Sequence, residues 1–472
     1  MPPAAGGGVG AGLGDGQTMG VARPSDLEDP ELRHWTKDPA NPVVFHGKGT
    51  CFPSQVWRSG DHLNFVADGE RWTTTDATLH SWTAVDSGNA VNGSEGFPTG
   101  GNGGEWFLPL PRTMGGKPPP PGSPDHVIAV RSGSQYLLGW YNATQERFVP
   151  DGEACQCCPI PAKCTADRQH ELDVGWQFVW AALQSSAGRM LNIAWVTGIA
   201  SRGRGQRGPP GSMLSLLREV RYDTFSGRLA SSPMPELALL RNGSLFAADQ
   251  KALPPGQLTT LPLSDAAEAD TADILAVAFL NSHGSTEFGL SVLANPDNIS
   301  GSTTVRVVVS APDAATGVYH GTASGRIELS SGECPWQNWW ECAHPECIGN
   351  RSKPDCPSLQ KARMARPTDM AWSAPFTLSP NHAANQCGSK GEMCVDVRVL
   401  VDRSVVEIFV AGGRVAALMA YEPPDTAHTF VHLFAGGQPQ SVSTTTTVTL
   451  QTVNVWSVGC GWNESHRGVG VT

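Results

Sequence analysis

From Arg398 to Val415 the chain reads RVLVDRSVVEIFVAGGRV. Apolar and polar residues alternate through Arg398-Val399-Leu400-Val401-Asp402, and again through Val405, Val406, Ile408 and Phe409. A period near two, rich in β-branched residues, predicts two strands of a half-buried antiparallel sheet. Gly412-Gly413 supplies residues suited to φ > 0 for the tight turn that follows. Few stretches keep a 3.6-residue period, and 53 Gly, 37 Pro and only 16% charged residues mark a turn-rich chain. The predicted class is all-β.

A second pattern is irregular and longer. Polar turns are followed by an aromatic or apolar anchor at Trp35, Trp82, Phe148 and Leu229. Spacings near 40–50 residues, lengthened by insertions, suit the four-stranded blades of a β-propeller. The insertions are visible as Pro118 to Pro121, the Cys/Pro loop Cys155 to Cys164, and the basic, Gly/Pro-rich Ser201 to Pro210. Four anchors enclose three intervals, so about three blades are expected over residues 29–232. Residues 1–28, Gly/Ala-rich, read as a disordered tail. Pro233 to Arg241 reads as a short helix or linker, with the linker taken to 259. A β-sandwich is expected over 260–458, and a tail over 459–472.

Composition narrows the partners. The 472 residues suffice for two domains, each with its own core. A net charge of −11 argues against nucleic acid or an anionic membrane surface, and no apolar run is long enough to span a bilayer. Twelve cysteines and six sequons, at Asn92, Asn142, Asn242, Asn298, Asn350 and Asn463, point to an oxidising secretory compartment, secreted or vacuolar. The opening MPPAAGGGVGAGLGDGQTMG has neither a basic n-region nor an apolar h-region, so it is no signal peptide. The expectation is that the signal lies upstream of a truncated chain.

Several segments together resemble glycoside hydrolase family 32, the invertases and fructan hydrolases. They are Asp29 to Val44, Phe148 to Asp151, Arg218 to Arg241, Phe288 to Leu293 and Arg398 to Val458. The resemblance implies a five-bladed propeller carrying the active site, of which about three blades are present here, followed by a supporting C-terminal sandwich. It also implies a retaining hydrolase acting on sucrose or fructans, without a cofactor or metal. Such chemistry needs two carboxyl groups roughly 5–5.5 Å apart, one ionised to attack the anomeric carbon and one protonated to donate to the leaving oxygen.

The family's nucleophile motif, an Asn-Asp-Pro-Asn-like turn, is absent from the 472 residues. Its Arg-Asp-Pro motif falls where the chain reads Cys51-Phe52-Pro53, and phenyl cannot accept a hydroxyl hydrogen bond. Lys37-Asp38-Pro39 mimics that motif, and Asp38 is read as a turn residue. The Gly103 to Pro109 segment resembles the family's acid/base stretch. It makes Glu105 either the catalytic acid/base or a surface residue at a Gly-rich turn. Asp173 resembles a substrate-contacting Asp, or else caps a strand turn. Trp176 stands where the family often has Lys, and could stack on a sugar face. Glu105 and Asp173 are expected on one concave face. Glu333-Cys334, Glu341-Cys342 and Glu346-Cys347 are decoys by position.

Cys155, Cys157, Cys158 and Cys164 lack paired C-x₂-C knuckles, which favours disulfides over a metal. Cys334, Cys342, Cys347 and Cys356, among Trp336, Trp339 and Trp340, read as a disulfide-stapled insertion. Cys387 and Cys394 flank a six-residue stretch that could close as a disulfide-linked hairpin. Three functions compete: a family 32 hydrolase, a non-catalytic carbohydrate-binding protein derived from one, and a cysteine-rich adhesion protein.

Overall fold

The computed structural model describes residues 18–29, 33–45, 56–67, 70–85, 106–116, 118–130, 135–144, 147–151, 170–175, 179–185, 188–199, 211–297, 299, 302–328, 369–382, 385–387, 392–403, 405–420, 429–436 and 447–459. Among the described residues strands dominate, and helical structure is limited to short 3-10 turns such as Pro235–Leu240 and Ala266–Asp270. The chain is therefore nearly all β. It divides into two compact units, one of residues 1–111, 120–171 and 179–188, the other of 112–119, 172–178 and 189–472.

The first unit opens with short strands β1 (Thr18–Met19), β2 (Ala22–Pro24), β3 (Trp35–Lys37) and β4 (Val44–Phe45). A four-stranded meander follows: β5 (Trp57–Ser59), β6 (His62–Ala67), β7 (Glu70–Thr74) and β8 (Thr83–Val85). A second meander runs through β9 (Phe107–Pro109), β10 (His126–Val130), β11 (Gln135–Asn142) and β12 (Arg147–Pro150), with β13 (His170–Glu171) added to β11. The last strand of this unit is β14 (Val179–Gln184). Its cores are small and aromatic. Phe65 packs edge-on against Trp82 and stacks with Trp72. Trp57, Phe107, Ile128, Leu137 and Phe148 form a second cluster. Of the anchors in this unit, Trp82 and Phe148 pack inward, but Trp35 is 55% exposed in the β2–β3 hairpin. The spacing of aromatic residues gives no indication of which face they occupy.

In the second unit β15 (Met190–Ile199), β16 (Gly211–Leu214), β17 (Arg218–Asp223) and β18 (Arg228–Pro233) are antiparallel neighbours, with β17 between β15 and β18. Leu229, the fourth anchor, is buried on β18. The strands beyond are β19 (Arg241–Leu253), β20 (Leu258–Thr260), β21 (Thr271–Phe279), β22 (Thr286–Ala294), β23 (Thr303–Val309), β24 (Tyr319–Glu328), β25 (Asp369–Leu378), β26 (Gln386–Cys387), β27 (Glu392–Asp402), β28 (Val405–Val410), β29 (Val415–Ala420), β30 (Phe430–Ala435) and β31 (Val448–Val458). They form a seven-stranded sheet in the order β19-β31-β21-β27-β28-β29, with β26 on β27, and a six-stranded sheet in the order β20-β30-β22-β23-β24-β25.

The two sheets share one core. Ile274, Ala276, Val397, Val399 and Ile408 of the first meet Phe288, Leu290, Val305, Val307 and Leu433 of the second. These residues alternate along their strands, as period-two burial requires. Residues 233–259, expected as a linker, hold the 3-10 turn and then the thirteen-residue strand β19, paired with β31 along its length. A strand at the edge of a sheet leaves polar residues exposed, which blurs its alternation in the sequence.

Candidate functional site

The Arg398 to Val415 pattern folds as read into two hairpins. β27 pairs with β28 in the register Val399↔Ile408, and β28 with β29 in the register Val410↔Val415. Gly412 and Gly413 turn between the latter pair at φ 68° and 88°. A Cβ on Gly413 would stand 2.3 Å from the Ser231 carbonyl oxygen, so both conformation and space demand glycine.

One expectation fails here: all six residues of β28 are buried, not half of them. Val406, Ile408 and Val410 face the sandwich core, while Phe409 packs with Leu400, Ala416 and Leu216 on the other side. Glu407 lies on that second side, where the sequence suggested solvent.

Glu407, inside an apolar strand, is one of three charges that meet in the interior. The others are Asp173, between Leu172 and Val174, and Arg218, between Leu217 and Glu219 ahead of Val220. The fold brings them together. The Arg218 guanidinium donates to Asp173 Oδ2 at 2.5 Å and to Glu407 Oε2 at 2.6 Å, and all three side chains are sealed from solvent. Arg218 also lies 4.8 Å over the Phe409 ring. The Leu216 backbone N–H donates to Glu407 Oε1, and Gly175 and Leu418 N–H groups donate to Asp173 Oδ1.

Two carboxylates facing one guanidinium leave a negative charge in excess. Burial pushes the Glu407 carboxyl above its ordinary value, against the pull of Arg218. Burial also opposes the Arg218 charge, but the two carboxylates outweigh it and raise the guanidinium pKa.

The cluster has a visible mechanical effect. Residues 172–175 lie along β29, the end strand of the seven-stranded sheet, where Val174 N–H donates to the Ala416 carbonyl. A Cβ on Gly175 would come within 2.4 Å of the Leu418 backbone nitrogen and 2.3 Å of its oxygen. Only glycine permits this approach.

A second buried pair lies nearby in sequence. Arg414 donates to Asp223 Oδ2 and Asn385 Oδ1, tying the β28–β29 turn to the β17–β18 turn and the segment before Cys387. Cys387 and Cys394 are disulfide-bonded, with Cα atoms 5.8 Å apart, as their spacing suggested.

Of the residues singled out from the sequence, Asp173 is described, buried and paired with Arg218. Glu105 and Trp176 lie outside the described residues. So do Cys51-Phe52-Pro53, the Cys155–Cys164 and Cys334–Cys356 segments, and the three Glu-Cys pairs. Asp38 sits at a turn, accepting from Ala40 N–H at 2.9 Å and sharing a 2.9 Å hydrogen bond with His80, which holds its carboxyl below the ordinary value. Arg218 and Glu407 went unread as partners. For Glu407 the available signal was a single charge inside an apolar strand, which needs either solvent or a counter-charge; Arg218, in the charged strand Arg218–Asp223, carried no such signal. Among the described residues, no three His, Cys, Asp or Glu side chains gather as a metal site would require, and no helix is long and apolar enough to cross a membrane.

Residues 240–457 match the family model described as glycosyl hydrolases family 32 C terminal. The insoluble isoenzyme CWINV6 of beta-fructofuranosidase from Arabidopsis thaliana is 26% identical over 291 residues, 57% of this chain and 50% of that protein. The insoluble isoenzyme 4 from Oryza sativa subsp. japonica is 22% identical over 94% of this chain and 72% of its own length. The chain thus spans half of the first relative and under three quarters of the second. The crystal structure of fructan 1-exohydrolase IIa from Cichorium intybus, also solved as a variant with 1-kestose, superposes at a TM-score of 0.62 with 18% identity. That match covers 94% of this chain and 79% of the chicory one, and shows a likeness of fold. Family model, curated relatives and fold all indicate the same family, glycoside hydrolase family 32, the family-model match lying in residues 240–457.

Proposed function

We propose that the chain serves a retaining hydrolase of β-fructosides such as sucrose or fructans, in a secreted or vacuolar setting. The observation that carries this reading is the match of residues 240–457 to the family's C-terminal domain. In this reading residues 29–232 supply about three propeller blades ahead of the sandwich. Glu105 is the acid/base that protonates the leaving oxygen, and Trp176 stacks on a sugar ring. A direct contact between Asp173 and sugar requires its carboxylate to turn out of the Arg218 pair, so its part is chiefly to hold residues 172–175 in place.

The missing nucleophile motif favours a second reading, a carbohydrate-binding protein of the same descent. A lone acid cannot form the glycosyl-enzyme intermediate of a retaining mechanism. The expected outcome for residues 1–472 is therefore measurable binding of 1-kestose by calorimetry without useful release of fructose. Release of fructose that collapses in Glu105→Gln would carry the first reading and reveal a nucleophile outside the known motif. Neither binding nor release would remove both.

A further inference from the structure

Six N-glycosylation sequons lie along the chain. Two of them, at Asn142 and Asn242, fall on described residues, and both asparagines are exposed. Asn142 sits at the end of β11, where its Oδ1 accepts from Thr144 N–H in a tight local turn. Asn242 is placed differently. It opens β19, the end strand of the seven-stranded sheet, which among the described residues pairs only with β31.

The register slips at this point. Arg241 pairs with Val458 and Gly243 with Ser457, so Asn242 is an extra residue without a partner in the ladder. Such a bulge bends the strand and re-aims the side chain it inserts. Gly243 and the sequon's Ser244 are exposed beside it.

An end strand with free N–H and C=O groups invites pairing with another chain, and proteins guard such edges with charges, kinks or cover. β19 is guarded unevenly. Its second half carries Asp249 and Lys251 and kinks at Gln250, whose φ is 53°. From Asn242 to Ala248, NGSLFAA, there is no charge at all, and the Leu245 carbonyl accepts from Ser264 N–H at 3.0 Å. The uncharged half is the half that bears the sequon.

We propose that Asn242 carries an N-linked glycan and that this glycan covers the uncharged half of the β19 edge. The donor would be a lipid diphosphate-linked oligosaccharide. Asn242 Nδ2 bonds to C1 of its first sugar as the C1–O bond breaks; the lipid diphosphate leaves, and the amide proton passes to a base of the transferase. The inference rests on the secretory setting proposed above.

The test is peptide mass spectrometry of the chain isolated from the cells that make it, after enzymatic deglycosylation, which converts each glycosylated Asn to Asp. Conversion at Asn242 is expected. Glycans on other sequons with Asn242 bare would overturn the proposal and leave the secretory reading standing. No glycan on any sequon would overturn both. For the covering role, Asn242→Gln and Ser244→Ala, made in a eukaryotic secretory host, should each lose one glycan's mass. Each should also raise self-association severalfold by light scattering. Asn142→Gln should show no such rise. Self-association unchanged in both sequon-242 variants would overturn the covering role, and Ser244→Ala keeps the test open if the Asn242 change impairs folding.

Discussion

The sandwich sheets and the meanders of the first unit are built from the same kind of strand, yet they hold together differently. Dozens of aliphatic side chains from two sheets form one continuous core in the sandwich, interdigitating Val, Ile, Leu and Ala at alternate positions. Among the described residues of the first unit, cores are local: one phenylalanine among four partly buried neighbours, and one cluster around Phe107. Its edge-on ring contacts, such as Trp57 with Phe107 at 4.8 Å, are directional but few. A continuous core transmits the loss of any one residue to many others. Isolated clusters confine the damage.

The largest expected effect comes from breaking the buried charge cluster. Arg218→Ala leaves Asp173 and Glu407 without their cation in a dry interior, at a cost of about 3–5 kcal/mol. Urea denaturation should show this as a shift of the second unit's transition. An unshifted midpoint would mean that water enters the site freely.

The comparison of cores sharpens with a matched pair of truncations. Ile408→Ala, in the sandwich core, should cost about 3–4 kcal/mol, and Leu137→Ala, in the small cluster, about 2 kcal/mol, since a local cluster relaxes more readily around a cavity. Equal costs from thermal melts would erase the distinction drawn here. Gly413→Ala follows, at about 1–3 kcal/mol, because the alanine would be held at positive φ against the Ser231 carbonyl. A variant as stable as the parent would show that the turn can re-form around a side chain.

The smallest effect is electrostatic and exposed. Arg189 donates to Glu236 and to Glu219, and its hydrogen bond holds the Glu236 carboxyl down at about 2, from 4.5 ordinarily. A carboxyl depressed in the folded state adds stability above its unfolded pKa and loses it as pH falls through the folded one. Glu236→Gln should therefore flatten the loss of stability between pH 4.5 and about 2, and high salt should mask the difference. An acid limb identical in both proteins would place the sensitivity elsewhere.

How much of this could be read from residues alone depended on what each pattern encodes. The signature hairpins were legible because alternation and a Gly-Gly turn are local properties. Burial of the second face of β28 was not, because Glu407 in Val406-Glu407-Ile408 has the same period whether it meets water or Arg218. The anchors at Trp82, Phe148 and Leu229 pack inward and Trp35 does not, since spacing fixes no side-chain direction. Asp173 was found by likeness to a motif. Its pairing with a guanidinium 45 positions on and a backbone N–H 245 positions on is a tertiary fact.

The seven-stranded sheet ends on one side at β29, along which residues 172–175 lie, and on the other at β19, which pairs with no further strand among the described residues. A sheet that can add a strand on one side only cannot polymerise through that side. If two copies met through β19 they would pair antiparallel about a two-fold axis, and each would use up the other's free groups. Growth would stop at two. Any loss of cover on β19 should then yield pairs rather than fibres, and it is Gly175, by letting the chain close over β29, that sets this limit.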